Sequence, residues 1–193
     1  MSITVEKCLQ AWTNSLRQMN AKADIVFFGD SLIYYGDFAR IFPDKVVCNL
    51  GLRGDTIHGM IERVEQVELL APAQVYLMAG INDVAFNNLR EFVTQFNQLV
   101  FSIINNSPGT KLILQSLLPV NDVDFMVSCS NRQIMVCNEE IRKISWKYQL
   151  RYLDLFSLYE ENGVLSKDRT TDGIHLTPKA YTQWYDYVLV FNN

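Results

Sequence analysis

Five short, almost continuously apolar runs are spaced along this sequence, and long amphipathic stretches lie between them. The runs are Asp24–Gly29 (DIVFFG), Lys45–Leu50 (KVVCNL), Gln74–Ala79 (QVYLMA), Lys111–Leu117 (KLILQSL) and Gln149–Leu153 (QLRYL). They are rich in branched residues and do not alternate apolar with polar, which marks strands covered on both faces. The intervening stretches have helical spacing. Val5–Met19 repeats Cys8, Leu9, Trp12, Leu16 and Met19 at steps of one to four. Thr56–Leu70 carries Ile57, Met60, Ile61, Val64, Val67 and Leu70 and reads as one helix that stops before Pro72. Leu89–Asn105 and Asn131–Tyr148 are similar, and Thr177–Leu189 closes the chain with Thr177 as cap and Pro178 at the first helical position. Alternating strand and helix implies an α/β fold, a parallel sheet with helices on both faces. With no linker, repeat or low-complexity segment, residues 1–193 are expected to form one domain. In such sheets ligands bind at the carboxyl ends of the strands, so reactive residues are expected just after the runs.

Composition narrows the function classes. A chain that is 49% hydrophobic and 20% charged does not read as disordered. A net charge of -4 without a basic block argues against nucleic acid as partner. Cys8, Cys48, Cys129 and Cys137 form no C-x-x-C pair and read as buried or free thiols of a reducing compartment. Met1–Lys7 lacks the basic-then-apolar pattern of a signal peptide, and no run reaches the length of a membrane span. These features lead to an expectation of a cytoplasmic protein. Oligomeric state is left open.

The strand ends carry the chemistry. The first run leads into Gly29-Asp30-Ser31-Leu32. A serine hydroxyl needs a neighbouring base to become a nucleophile, and a strand-to-helix turn exposes it. Taken alone, the tetrapeptide reads more simply as Asp30 or Ser31 capping a helix. The second run leads into Asn49-Leu50-Gly51-Leu52-Arg53-Gly54-Asp55-Thr56, where a glycine N–H at Gly54 suits an oxyanion donor; the plain alternative is a turn with Asp55 as cap. The third ends in Gly80-Ile81-Asn82-Asp83. The Asn82 amide is a donor that stays neutral at any working pH, although Asn-Asp is also ordinary turn chemistry. Near the end stands Asp172-Gly173-Ile174-His175. A carboxylate three residues before His175 can accept from its Nδ1 and orient the ring. The other histidine, His58, reads as a surface residue in a helix.

In this order and placement, the four blocks resemble those of the SGNH hydrolase superfamily, also called the GDSL family. The match runs from Gly29 to His175 as Gly29-Asp30-Ser31-Leu32, Asn49-x-Gly51-x-x-Gly54, Gly80-x-Asn82-Asp83 and Asp172-x-x-His175. The resemblance implies a three-layer α/β/α sandwich on a flavodoxin-like, five-stranded parallel sheet. It implies Ser31 as nucleophile, Asp172 and His175 completing a triad, and an oxyanion hole from Ser31, Gly54 and Asn82. The single-domain form is similar to bacterial acylhydrolases and to the catalytic subunits of platelet-activating-factor acetylhydrolase.

The expected reaction is therefore hydrolysis of a small-molecule ester without metal or other cofactor. There is no H-E-x-x-H motif and no His/Cys cluster. Short acyl groups, acetyl above all, on a sugar or similar polar alcohol are expected, because no inserted cap or long apolar lid is present to bury a tail. The flanking residues Asp30, Tyr34, Tyr35, Phe125 and Met126 are expected to meet substrate, and the stretch Val84–Asn88 after Asn82 is expected to contribute to specificity. Phe125 and Met126 would favour the alternative, a lysophospholipase or thioesterase with a longer acyl groove. An acyltransferase would use the same triad with an alcohol in place of water. A non-catalytic flavodoxin-like binding module would use the strand-end glycines but would not need Asp172 and His175 in register.

Overall fold

A computed structural model describes residues 3–85 and 88–192. Its centre is a sheet of five parallel strands, β1 (Ile25–Gly29), β2 (Val47–Gly51), β3 (Gln74–Met78), β4 (Lys111–Gln115) and β5 (Arg151–Leu153), ordered β2-β1-β3-β4-β5. The order reverses beside β1, so the loops after β1 and β3 diverge there and leave a crevice at the carboxyl edge. The register brings the edge into line, with Gly29 opposite Gly51 on one side and Met78 on the other.

Every residue of β1 is buried, which accounts for its unbroken apolar run. Successive side chains serve opposite faces. Phe27 stacks with Tyr76 and Phe38, and Phe38 meets Trp184 edge to face, so one face is an aromatic layer beneath helix α9 (Pro178–Asn192). Phe28 faces the other way, with the Arg63 guanidinium 4.5 Å from its ring centre. That second face carries α3 (Ile57–Glu62), α4 (Glu65–Leu70), α6 (Leu89–Asn106) and α7 (Asn131–Lys147), which pack side by side, with α1 (Ile3–Met19) against α4. Two one-turn helices start at strand ends, α2 (Ser31–Tyr34) after β1 and α5 (Ile81–Val84) after β3. This is the α/β/α sandwich that the pattern of runs and the resemblance implied.

The single helix expected over Thr56–Leu70 is two. The break falls at Arg63, whose backbone (φ -116°, ψ 15°) leaves the helical region. Helical spacing continues across it, so periodicity alone does not reveal it. The cause is the side chain, which turns inward and is only 3% exposed. A buried guanidinium must satisfy its donors. Arg63 donates to Asp55 Oδ2 at 2.7 Å, Leu50 O at 2.9 Å and Gly29 O at 3.0 Å, the last two being strand-end carbonyls. The chain after β5 adds α8 (Leu155–Tyr159) and a hairpin of β6 (Glu160–Glu161) and β7 (Val164–Leu165), none of it expected. Its turn is Asn162-Gly163, with φ of 53° and 87°, a dipeptide strongly preferred in two-residue hairpins. No helix among the described residues is long and apolar enough to cross a membrane.

Candidate active site

Ser31 is the first residue of α2, so its N–H has no acceptor one turn earlier within the helix. Asp30 caps that helix, accepting from Leu32 N–H at 2.9 Å. Asp30 is wholly buried, so the expectation that it meets substrate is corrected: its carboxylate holds the turn from inside. Its second oxygen has no hydrogen-bond partner among the described residues, and burial pushes its pKa up to about 7, helped by Asp55 and Asp83 and opposed by the Leu32 N–H and Arg63.

His175 approaches from the far end of the chain. Its Nε2 lies 2.8 Å from Ser31 Oγ and its Nδ1 2.6 Å from Asp172 Oδ2. Asp172 Oδ1 accepts the backbone N–H groups of Ile174 (3.0 Å) and His175 (2.8 Å), so the carboxylate fixes its own loop as well as the ring. Partial burial pushes Asp172 up, yet the His175 ring and these two amides outweigh it and hold the carboxyl below its ordinary pKa. The loop is clamped from both sides. His175 O accepts from Thr170 Oγ1 and Thr171 N–H, and Asn121 N–H donates to Gly173 O. Gly173 (φ 94°) has no room for a side chain, since an added Cβ would lie 2.8 Å from Phe125 Cβ and 3.0 Å from Asn121 O. Thr177 caps α9, which follows at once.

The loops after β2 and β3 are stitched together. Asn82 Nδ2 donates to Asp55 O at 2.8 Å, which leaves its second N–H for another acceptor. Asp83 Oδ2 accepts Ile57 N–H at 3.1 Å. Thr56, not Asp55, caps α3. Asp55 instead receives Arg63 in a pair almost sealed from solvent. Burial raises the Asp55 carboxyl and lowers Arg63, while their contact opposes both shifts. Gly54 stands in the left-handed region (φ 71°) with its Cβ direction open, and its N–H has no acceptor among the described residues. Thus Ser31 and His175 touch, and Gly54 and Asn82 lie on stitched loops along the same carboxyl edge.

The flanking residues divide. Tyr35, about half exposed, sets its ring edge-on to His175 with centroids 5.5 Å apart. Tyr34 turns outward and contacts only Tyr35 among the described rings. Met126 is fully exposed, while Phe125 is half-buried with its Cβ close to Gly173, beside the loop of Asp172 and His175. The specificity segment expected over Val84–Asn88 falls partly on Phe86 and Asn87, outside the described residues. His58 is exposed and leans on Glu62, a carboxylate one helical turn on. Thr170, Asn121 and Arg63 were not singled out from the sequence. Their roles depend on partners distant along the chain.

A serine hydroxyl, an imidazole and a carboxylate in hydrogen-bonded series, at the carboxyl edge of a doubly wound parallel sheet, form an arrangement that serine hydrolases use. The chain belongs to the GDSL-like lipase/acylhydrolase family, whose model matches residues 27–183, and it is a carboxylic ester hydrolase. Solved structures share the fold. A Streptococcus pneumonia protein described as a platelet activating factor is 22% identical, with a TM-score of 0.82 and 100% of both chains covered. A GDSL-like lipase from Bacteroides thetaiotaomicron VPI-5482 is 21% identical, with a TM-score of 0.75 over 96% of this chain and 95% of that one. An acetyl xylan esterase is 18% identical, with a TM-score of 0.74 over 86% and 98%. No curated protein matches this sequence significantly.

Proposed function

We propose that Ser31 is the nucleophile of a two-step acyl transfer from short-acyl esters, acetyl above all, of a sugar or similar polar alcohol. The observation that carries this reading is the unbroken series Asp172 Oδ2–His175 Nδ1 (2.6 Å) and His175 Nε2–Ser31 Oγ (2.8 Å). His175 takes the Ser31 proton as Oγ attacks the ester carbonyl, and Asp172 stabilises the imidazolium that forms. The oxyanion is met by the N–H groups of Ser31 and Gly54 and by the free N–H of Asn82. His175 then protonates the leaving alcohol and afterwards activates water to release the acid. Short acyl groups are favoured because a tail gains ~0.8 kcal/mol per methylene only when it is covered. Met126, the adaptable residue that could cover one, stands in solvent.

Ser31→Ala is expected to lower kcat by roughly 10⁶, because the triad acts as a unit. A serine-directed organophosphonate should label the wild type once and the variant not at all. Undiminished labelling of the variant would place the nucleophile elsewhere.

A further inference from the structure

Beside His175 lies a cavity of about 460 Å³, within the ~300–1,000 Å³ range of small-molecule sites. His175, Asp172, Tyr35, Asp37, Arg40 and Tyr185 are among its walls, and Ser31, Gly54 and Asn82 are not. We propose that this cavity is the leaving-alcohol subsite and that Asp37 and Arg40 select a neutral polyhydroxyl alcohol there, a sugar unit. The inference rests on the acyl-transfer reading given above and adds where the alcohol sits and what recognises it.

The mechanism sets the direction. Once the oxyanion faces Gly54 and Asn82, the ester's other oxygen must come within reach of His175 Nε2 to receive its proton. The alcohol therefore continues on the imidazole side, and the cavity opens there. Tyr35, one of its walls, stands edge-on to His175, with the Arg53 guanidinium 5.7 Å from the Tyr35 ring centre. The aromatic ring offers a flat apolar surface to the C–H face of a sugar.

The polar groups decide the class of alcohol. Asp37 and Arg40 are exposed, and neither makes an ion pair among the described residues. Arg40 rests 5.5 Å from the Tyr185 ring centre, and the Tyr185 hydroxyl accepts the Asp37 N–H at 2.7 Å. Asp172 is already committed to His175. The charged groups that remain in the walls are one guanidinium that only donates and one carboxylate that only accepts. Sugar hydroxyls do both and suit that pair. A plain alkyl alcohol would cover the two charges without replacing their water. Among the cavity's walls a phosphorylated alcohol would meet two carboxylates, Asp37 and Asp172, against one guanidinium, that of Arg40.

The test holds the acyl group constant. Steady-state kcat/KM is measured for a monosaccharide acetate, ethyl acetate, acetylated glycerol phosphate and p-nitrophenyl acetate, in the wild type and in Asp37→Asn and Arg40→Gln. The wild type should prefer the sugar acetate over ethyl acetate and over the phosphorylated ester. Each variant should lower the sugar-to-ethyl ratio about tenfold, the size of one charge-assisted hydrogen bond lost at an open site. An unchanged ratio in both variants, or an equal loss on every ester, overturns the subsite. A preference for the phosphorylated ester overturns it in favour of an anion site. No turnover of any acetate, p-nitrophenyl acetate included, overturns the acyl-transfer reading itself and is distinguishable on that ground.

Discussion

Asp30 shows how much a single side chain beside the proposed nucleophile can be burdened by its position. It caps the helix that carries Ser31, and it does so in the interior, with one oxygen unpartnered among the described residues. Its pKa in the folded chain is about 7 against an ordinary 3.8. The folded state thus holds this proton more tightly than the unfolded state does. The sign follows by linkage: stability falls as pH rises from about 4 to about 7, and the full cost is present above that. Asp83, raised by burial to about 6 although the Ile57 N–H opposes it, adds to the same slope. Asp30→Asn keeps a side-chain oxygen for Leu32 and removes the charge. We expect the melting temperature of this variant to drop less between pH 5 and pH 8 than that of the wild type. Parallel drops would mean that Asp30 ionises without penalty.

Among the elements, the loop after β2 decides whether the site assembles, and two of its glycines serve it for different reasons. Gly51 ends β2, where an added Cβ would lie 2.1 Å from Tyr34 N and 2.5 Å from Tyr34 Cα. Both are backbone atoms of the helix that bears Ser31, so neither can yield cheaply. Gly54 has open space around it but a left-handed backbone. There a side chain costs ~1–2 kcal/mol of strain and no clash. Gly54→Ala is expected to melt a few degrees lower and, if its N–H is the proposed oxyanion donor, to lose kcat disproportionately. Gly51→Ala is expected to lose far more stability. Comparing thermal melts with kcat for the two separates the cases, and equal melting temperatures would remove the distinction.

For the whole molecule, the question is what brings a histidine from one end of the chain to a serine near the other. The answer is the docking of α9 on the aromatic face of the sheet. Trp184 is fully buried, meets Phe38 edge to face and donates to Gln115 Oε1 at 3.0 Å on β4. Tyr181 donates to Leu32 O within the helix that begins with Ser31, and Tyr159 to Ala180 O. Trp184→Ala is expected to cost about 3–5 kcal/mol, the range for a large buried aromatic. It should also lower activity at temperatures where the sheet is still folded, since His175 lies only three residues before this helix begins at Pro178. Urea unfolding and an activity profile against temperature check both. An unshifted urea midpoint would show that α9 is not what holds that end.

Much of this was legible in the residues themselves. The continuous apolar runs mark strands covered on both faces, and that physical requirement alone implies the parallel sheet and a site at its carboxyl edge. Ser31, Gly54, Asn82, Asp172 and His175 stand out because nucleophile, donor and base chemistry each need a particular functional group after a strand. Local hydrogen bonding is readable too: Asp172 meets His175 three residues away, and Thr177 begins a helix. What only the tertiary structure decided depends on partners far apart in sequence. The helix break at Arg63 is invisible to periodicity because it is set by Asp55, Leu50 and Gly29 around a buried cation. Asp30 looked available to substrate until packing sealed it. The cavity draws on residues around Asp37 and around Tyr181, which no local pattern connects. The Ser31–His175 contact spans 144 residues. Short-range propensity cannot set a distance of that kind, because it is the sum of how β1, β3 and α9 pack.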